Sequence, residues 1–537
     1  MLRPSAIFRV VLLGAAWLAA GCHWTLTDPS TDPKSHQFDF PTGIAMDPGG
    51  RYAYVSNGNA DLAFGGGTLM IVDLLAFECT VAEFRAQLAL KQNQTPPPIP
   101  PSCTGLQKLA QDNLKDLSPC RLDPSDPSIV DCDEGQFIVR NATVRIGNFG
   151  GEIRLQHSNS LNRLFVAVRG DPSITWADIR TPDDAYPSLD CQDKTSGTVP
   201  FVQSQPLTVT NTCGPGHQIN SYTCTAQPNC LIGLNDSNHP PGTAQLPTEP
   251  FAMQIDEGTY PDVKNTPYSR MLVGAQGTGQ VSLIKLDEEP PKLVYESNPF
   301  FQPDAQMHHG VFGMAQQHKH DPSSTWYLTT NLFPELATFR IAEANVVQLQ
   351  TTLSLQTTYA FGNDIRDIQF DASGNRAFVT ENNPPSVITL DTRVLPGATG
   401  GLPVNAVVSN VDVCQTPSHF GVRTVNLPGA PGEPTQLRTR IYVVCFLSSQ
   451  VMVVDPDLPA VLATVFSGIA GPNEIAFNFA SDDALPVDQV TPLFGKHRAY
   501  VTNYSESTIA VLDLEPGSPT ENRVVARIGF PPTGPQP

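Results

Sequence analysis

An all-β chain wound into a seven-bladed β-propeller of four-stranded antiparallel blades is predicted by three observations in the 537-residue sequence. Short runs with apolar alternation recur along most of its length, each bounded by Gly, Pro, Asn or Asp, which is strand chemistry with turn punctuation. The runs come in groups of three or four. The group returns seven times with a bare period of about 54 residues, the mark of a repeat architecture.

The last unit is the template: Pro472-Asn473-Glu474-Ile475-Ala476-Phe477, then Arg498-Ala499-Tyr500-Val501-Thr502-Asn503, then Thr508-Ile509-Ala510-Val511-Leu512-Asp513. Residues 41–46, 52–57 and 68–73 repeat it, and five further copies lie between, with second strands at 163–168, 270–273, 325–328, 376–380 and 440–444. A fourth strand is predicted after the closing Asp, at 136–146, 292–295, 346–353 and 523–528. Four antiparallel strands repeated radially form a propeller blade, and each blade buries its faces only against its neighbours. Tyr500-Val501-Thr502-Asn503 with Thr508 to Asp513 resembles the YVTN-repeat propeller family, closely at the first, fifth and seventh units and loosely at the second, fourth and sixth. The resemblance implies a seven-bladed scaffold with varied activities, so it speaks to fold far more than to function.

Aligned positions Gly43, Glu152, Ala252, Gly313, Asp367, Gly421 and Glu474 are separated by 109, 100, 61, 54, 54 and 53 residues. The first two units therefore carry insertions, at about 78–134 in blade 1 and 180–248 in blade 2. Each insertion holds four cysteines: Cys79, Cys103, Cys120 and Cys132 in the first, Cys191, Cys213, Cys224 and Cys230 in the second. Cys414 and Cys445 form a third even group. Even groups point to bridges closed locally in an oxidising compartment, with the pairing inside each group of four left open. A small excursion without its own core needs such staples. The first insertion is predicted to hold helices at 81–91 and 106–117, joined by a polyproline connector at 95–101; the second reads as disulfide-tied loops. The chain enters on an innermost strand at Pro41 and leaves after an outermost strand near Ile528, so blade 7 is expected to be complete and to dock on blade 1 with no mixed blade. An echo of Phe40-Pro41-Thr42-Gly43 in Phe530-Pro531-Pro532-Thr533-Gly534 leaves a short shared strand open.

The N-terminus has Arg3 and Arg9, an apolar run over 10–20, and the ending Leu18-Ala19-Ala20-Gly21-Cys22. That is a secretory signal, too short to span a bilayer. Its small-small-Cys ending resembles the lipobox of bacterial lipoproteins, with Ala19 where the family prefers leucine; the resemblance implies acylation of Cys22, palmitate among the chains, and multiple chains anchor stably. The expected organisation is a signal peptide at 1–21, a lipidated N-terminus and tether at 22–36, the propeller at 37–530 and a tail at 531–537. The expected location is the cell envelope, by default the outer membrane of a Gram-negative cell. A net charge of −20 with no Lys/Arg cluster excludes nucleic acid as a partner.

Innermost strands line the channel of a propeller, so aligned columns become rings. One ring contains Glu152, Asp367 and Glu474; the preceding column holds Thr42, Gly151, Phe251, Phe312, Arg366, Phe420 and Asn473, and one before that holds His419. Three carboxylates with Arg366 and His419 suit a divalent cation or a polar small molecule at the channel mouth. The same carboxylates suit a second role, accepting backbone N–H groups from the next blade. His309 belongs at this mouth, whereas His318 and His320 lie roughly 30 Å away at ~3.3 Å per strand residue and are predicted in a solvated turn. The acidic run of Asp123, Asp126, Asp131, Asp133 and Glu134 lacks EF-hand spacing and reads as a solvated loop. No GxSxG, HExxH, P-loop or CxxCH motif occurs. The leading expectation is a non-catalytic binding or scaffold module for an envelope protein or glycan, with recognition by the two neighbouring insertions. The alternative is a lactonase-like or other hydrolase working through Glu152, Asp367, Glu474, Arg366 and His419.

Overall fold

In a computed structural model, seven blades surround one channel, each built on an antiparallel sheet of four strands. Blade 2 gains a fifth strand, because Ser188–Asp190 and Gln218–Ile219 of its insertion, expected as loops, both pair with Ser173–Arg180. The structure describes residues 33–103, 119–139, 142–158, 161–170, 172–180, 186–191, 209, 211–219, 221–223, 243–247, 249–260, 266–297, 310–331, 335–341, 347–355, 363–394, 403–427, 436–478 and 496–532. The signal, Cys22, most of the tether, the expected helix at 106–117, Cys224, Cys230 and His309 lie outside these residues.

The innermost strands are Pro41–Met46, Gly150–Ser158, Pro250–Tyr260, Val311–Gln316, Asn363–Phe370, Pro417–Leu427 and Pro472–Phe477, and each touches the next around the ring, the seventh against the first. The alternation in the sequence has a direct structural reading. In blade 1, Ala53, Val55, Met70 and Val72 face blade 7, while Tyr54, Leu69 and Ile71 face blade 2. A strand whose two faces are both buried sends odd and even residues to different cores. The apolar residues accordingly form seven clusters, one at each blade–blade interface, and no blade has a core to itself.

A polar pair repeats with the blades. An arginine at or near the start of the second strand meets an Asp at or near the end of the third: Arg51–Asp73 at 3.1 Å, Arg163–Asp178 at 2.8 Å, Arg440–Asp455 at 2.7 Å, and Arg498–Asp513. In blades 3 and 5 the arginine turns to the inner-strand side instead, to Asp256 at 2.7 Å and Asp371 at 3.1 Å. The motif asparagines close the other end of the blade. Asn503 accepts from Ala470 N–H at 3.2 Å and donates to Gly468 C=O at 2.9 Å, and Asn57 accepts from Asp39 N–H at 3.1 Å while donating to Thr68 Oγ1 at 2.8 Å.

The insertions depart most from expectation. The helix runs Leu74–Lys91, seven residues longer at its start than the predicted 81–91. Asp73 caps it, accepting from Ala76 N–H at 3.1 Å, and Leu74, Phe77 and Val81 are buried in the blade 7–blade 1 cluster. The fourth strand of blade 1, predicted over 136–146, is only Val144–Arg145, because residues Glu134–Gln136 form a 3-10 turn and Phe137 tucks edge-on against Phe77 at 5.3 Å. Between them a hairpin of Cys120–Leu122 and Val130–Cys132 leaves blade 1 altogether. Val130–Cys132 pairs in parallel with Ala526–Ile528, the outer edge of blade 7, making that sheet six-stranded. Blade 7 does supply its own four strands, as expected, and Phe530 to Pro532 add no strand; Phe530 instead lies under the Arg121 guanidinium at 4.3 Å.

Charge fixes the same hairpin. Arg527 meets Asp123, Asp131 at 2.8 Å and Glu506 at 3.2 Å. Asp123 and Asp131 are therefore buried, not part of a solvated loop, because they surround this one guanidinium. Arg85 of the helix donates to Val525 C=O at 2.7 Å, and Arg498 of blade 7 reaches Glu78 of the helix at 3.3 Å. The second insertion repeats the device one blade on. Arg145, on the outer edge of blade 1, donates to Asn211 C=O at 2.8 Å and accepts from Cys213 N–H at 3.0 Å, a parallel bridge through Thr212. Each insertion reaches back to cover the edge of the preceding blade.

The disulfides are Cys79–Cys103, Cys120–Cys132, Cys191–Cys213 and Cys414–Cys445 among the described residues, all within the predicted groups. Such bridges belong to an oxidising, extracytoplasmic compartment. Among the described residues no helix is long and apolar enough to cross a membrane. Arg527→Met should lower stability to urea by about 3–5 kcal/mol, because it leaves two buried carboxylates without their partner. Arg393→Met, which removes only an exposed pair with Asp391, should leave the urea midpoint unmoved.

Candidate binding site at the channel mouth

All seven inner strands start from one face, so their first residues form the channel rim. Side chains stitch that rim from blade to blade. Thr42 Oγ1 donates to Gly150 C=O at 2.6 Å, Glu152 Oε2 accepts from Met253 N–H at 2.6 Å, and Thr329 Oγ1 meets Arg366 C=O at 3.3 Å. Gln369 donates to Phe420 C=O, Ser418 Oγ donates to Asn473 C=O at 3.2 Å, and Glu474 Oε2 accepts from Ile44 N–H at 3.0 Å. Between blades 3 and 4 the contact is aromatic, Phe251 on Phe312 at 5.1 Å between centroids.

Four of the residues predicted to converge do so. The second carboxylate oxygens of Glu152 and Glu474 both face Arg154, whose Nη2 pairs with Glu152 and whose Nη1 lies 3.7 Å from Glu474. Arg154 also donates through Nε to Met253 C=O at 2.9 Å. His419 Nδ1 lies 3.5 Å from Asp367, which accepts from its own neighbour Ile368 N–H at 2.7 Å. Arg366 stands apart from this cluster. Its guanidinium pairs with Asp364 at 2.6 Å and lies 4.5 Å over the Phe312 ring. Above the cluster Phe251, from blade 3, stacks on His419 of blade 6 at 6.4 Å, so the aromatic pair spans the channel. His318 to His320 form an exposed turn beyond the strand Val311–Gln316, as predicted.

Arg154 is the functional residue that the column reading missed. It sits two residues after Glu152 on the same strand, so the period of two puts both side chains on one face. Following each column down its strand, and not only around the ring, would have found it.

The electrostatics follow from burial. Desolvation pushes the Glu474 carboxyl up to about 7 against the pull of His419 and Arg154, and raises Glu152 as well. Burial alone would lower His419, but the hydrogen bond and charge of Asp367, with Glu474 and Glu152 beyond, outweigh it and hold the imidazole at about 9. His419 is therefore an imidazolium at neutral pH. The carboxylate oxygens are turned to backbone N–H groups, Arg154 and His419 instead of to one common point, and among the described residues no group of three or more His, Cys, Asp or Glu is placed to hold a metal ion.

No protein-family model matches the chain, and no curated protein does. Among solved structures, the periplasmic gluconolactonase of Pseudomonas aeruginosa is similar at 16% identity, with 79% of this chain and 84% of that chain covered and a TM-score of 0.40. The Cps50 (Swd1) β-propeller domain of Myceliophteria thermophila is similar at 8% identity, with 89% and 95% covered and a TM-score of 0.41. Sqt1 of Saccharomyces cerevisiae is similar at 9%, with 91% and 99% covered and a TM-score of 0.41.

A pH dependence follows. Glu474 holds its proton more tightly folded than unfolded, so its contribution is full at acid pH and fades as pH rises from about 4.5 to about 7. The His419 contribution is present below about 6.5 and is lost as pH climbs through about 9. Thermal melts from pH 5 to about 9.5 should show falling stability; His419→Gln should flatten the upper limb and Glu474→Gln the lower, each by on the order of 1 kcal/mol.

Proposed function

We propose that this chain is an extracytoplasmic binding module, tethered by lipid at Cys22 to the outer membrane as a YVTN-type lipoprotein, that holds an envelope protein on its channel-mouth face without turning it over. The observation that carries the reading is the commitment of the mouth carboxylates. Glu152 and Glu474 each spend one oxygen on the next blade's backbone and face Arg154 with the other, and Asp367 is paired with His419. A general base needs a free lone pair within reach of substrate. These groups hold the rim together.

The same face offers contact surface. Leu447 and Phe466 are each 69% exposed in neighbouring loops of blade 6, next to the aromatic chain Phe446–Tyr504–Phe40 with centroids 5.7 Å and 5.1 Å apart. Exposed apolar groups gathered on one face mark interaction sites. The described parts of both insertions are occupied with blade edges, so the recognition surface lies at the mouth and not on the insertions.

One observation favours the hydrolase reading: Glu474 near 7 beside a protonated His419 puts a carboxyl and an acid in one cluster. Two experiments separate the readings. Crosslinking in the envelope should trap one partner that the Leu447→Ser/Phe466→Ser variant loses and a Leu349→Ser variant, altered on the outer strand of blade 4, keeps. A lactone and ester panel should show no turnover; turnover abolished by Glu474→Gln would instead establish the enzyme. Cys22→Ser should move the protein from the membrane to the soluble fraction.

A further inference from the structure

The mouth carries a second set of cations that the acid cluster does not use. Arg169 follows the second strand of blade 2, Leu161–Val168, and its guanidinium carbon lies 5.6 Å from the Phe251 ring centroid. Arg366 lies 4.5 Å from the Phe312 centroid, and the two rings are themselves 5.1 Å apart. Two guanidiniums thus rest on neighbouring rings at the rim of a chain whose net charge is −20.

Their partners are few. Arg527 is gripped by three carboxylates and Arg154 by two. Among the described residues Arg169 has no ion pair, and Arg366 has one, to Asp364 through a single nitrogen. The Nε of each is buried without a hydrogen-bond partner, so the protein leaves both guanidiniums incompletely satisfied. Arg366 keeps 26% of its side chain exposed, and Arg169 is half-buried. A guanidinium lying on an aromatic face is weakly hydrated and oriented, which suits it to donate paired N–H groups to the oxygens of an anion. Asp364, and Asp39 and Asp61 on the blade 1 side of the same face, are the opposing charges.

We propose that Arg169 and Arg366 form an oxyanion site at the channel mouth, taking the carboxylate or phosphate group of a ligand seated beside the Phe251–Phe312 pair. The site rests on the binding reading above and names the chemistry of what is held; no bond is made or broken. Each guanidinium would donate N–H groups to the anion's oxygens, and the adjoining Phe251 and Phe312 rings hold the two guanidiniums at the rim.

Isothermal titration of the full chain with citrate and with inorganic phosphate tests the site, the two probes distinguishing a carboxylate ligand from a phosphate one. At low salt one or both should bind, more weakly as salt rises. Arg169→Gln and Arg366→Gln should each lose about tenfold or more in affinity, while Arg438→Gln, on a different blade face, should not. Absence of binding by both anions into the millimolar range, or equal binding by the wild type and both variants, would overturn the site. The outcome is separable from partner capture: anion binding with no crosslinked partner removes the protein-binding reading and keeps the site, and a crosslinked partner with no anion binding does the reverse.

Discussion

A ring folded from a linear chain has one interface that no peptide bond crosses, between the last blade and the first. Here every apolar cluster is shared by two blades, so that interface is as necessary as the other six. The other six are held by connecting loops, which keep neighbouring blades at high effective concentration. The seam has no loop. Its substitute is the first insertion, which leaves blade 1 through a helix packed in the seam cluster and ends as a strand on the outer edge of blade 7. Arg527, Arg85 and Arg498 then fasten hairpin and helix to the last blade.

The chemistry of the insertion follows from that task. A three-residue parallel pairing is weak alone, and an outer strand edge left open invites other chains. The Cys120–Cys132 bridge closes a loop of 12 residues, worth about 3 kcal/mol of unfolded-chain entropy in the loop-closure view. It presents Val130–Cys132 already shaped as a strand. The second insertion meets blade 1 in the same sense, with Cys191–Cys213 closing the segment that carries Thr212. Two cysteine-rich excursions on adjacent blades thus share one purpose, covering the edges on either side of the seam.

Much of this was legible in the residues. Alternation, turn punctuation and a 54-residue period locate the seven blades, and aligning them brings Glu152, Asp367, Glu474 and His419 to one mouth. Short-range signals succeed because strand period and turn chemistry are local. What stayed hidden is long-range or off-column. Nothing in Val130-Asp131-Cys132 announces a partner nearly four hundred residues away, and the acidic residues around it look solvated until Arg527 is seen among them. The helix began early because Leu74 and Phe77 are buried by tertiary contact, which extended it past its own amphipathic stretch. Arg154 was hidden by reading rings without reading down strands, and Arg169 by lying in a loop that belongs to no column.

The mouth and the seam are mechanically one feature, since Glu474 of blade 7 bonds Ile44 of blade 1 at the rim while the insertion binds the outer edge. The ring is pinned at both radii. Native-state hydrogen exchange reads the outer pin most directly, by comparing the amides of Arg523–Ile528 in blade 7 with those of the outer strands Ala406–Asp412 and Ala460–Val465. Protection of the blade 7 edge well above the other two, extending to Gly529, which donates to Cys132 C=O at 2.7 Å, is the predicted result. Exchange at the same rate on all three edges would contradict a ring closed by its own insertion.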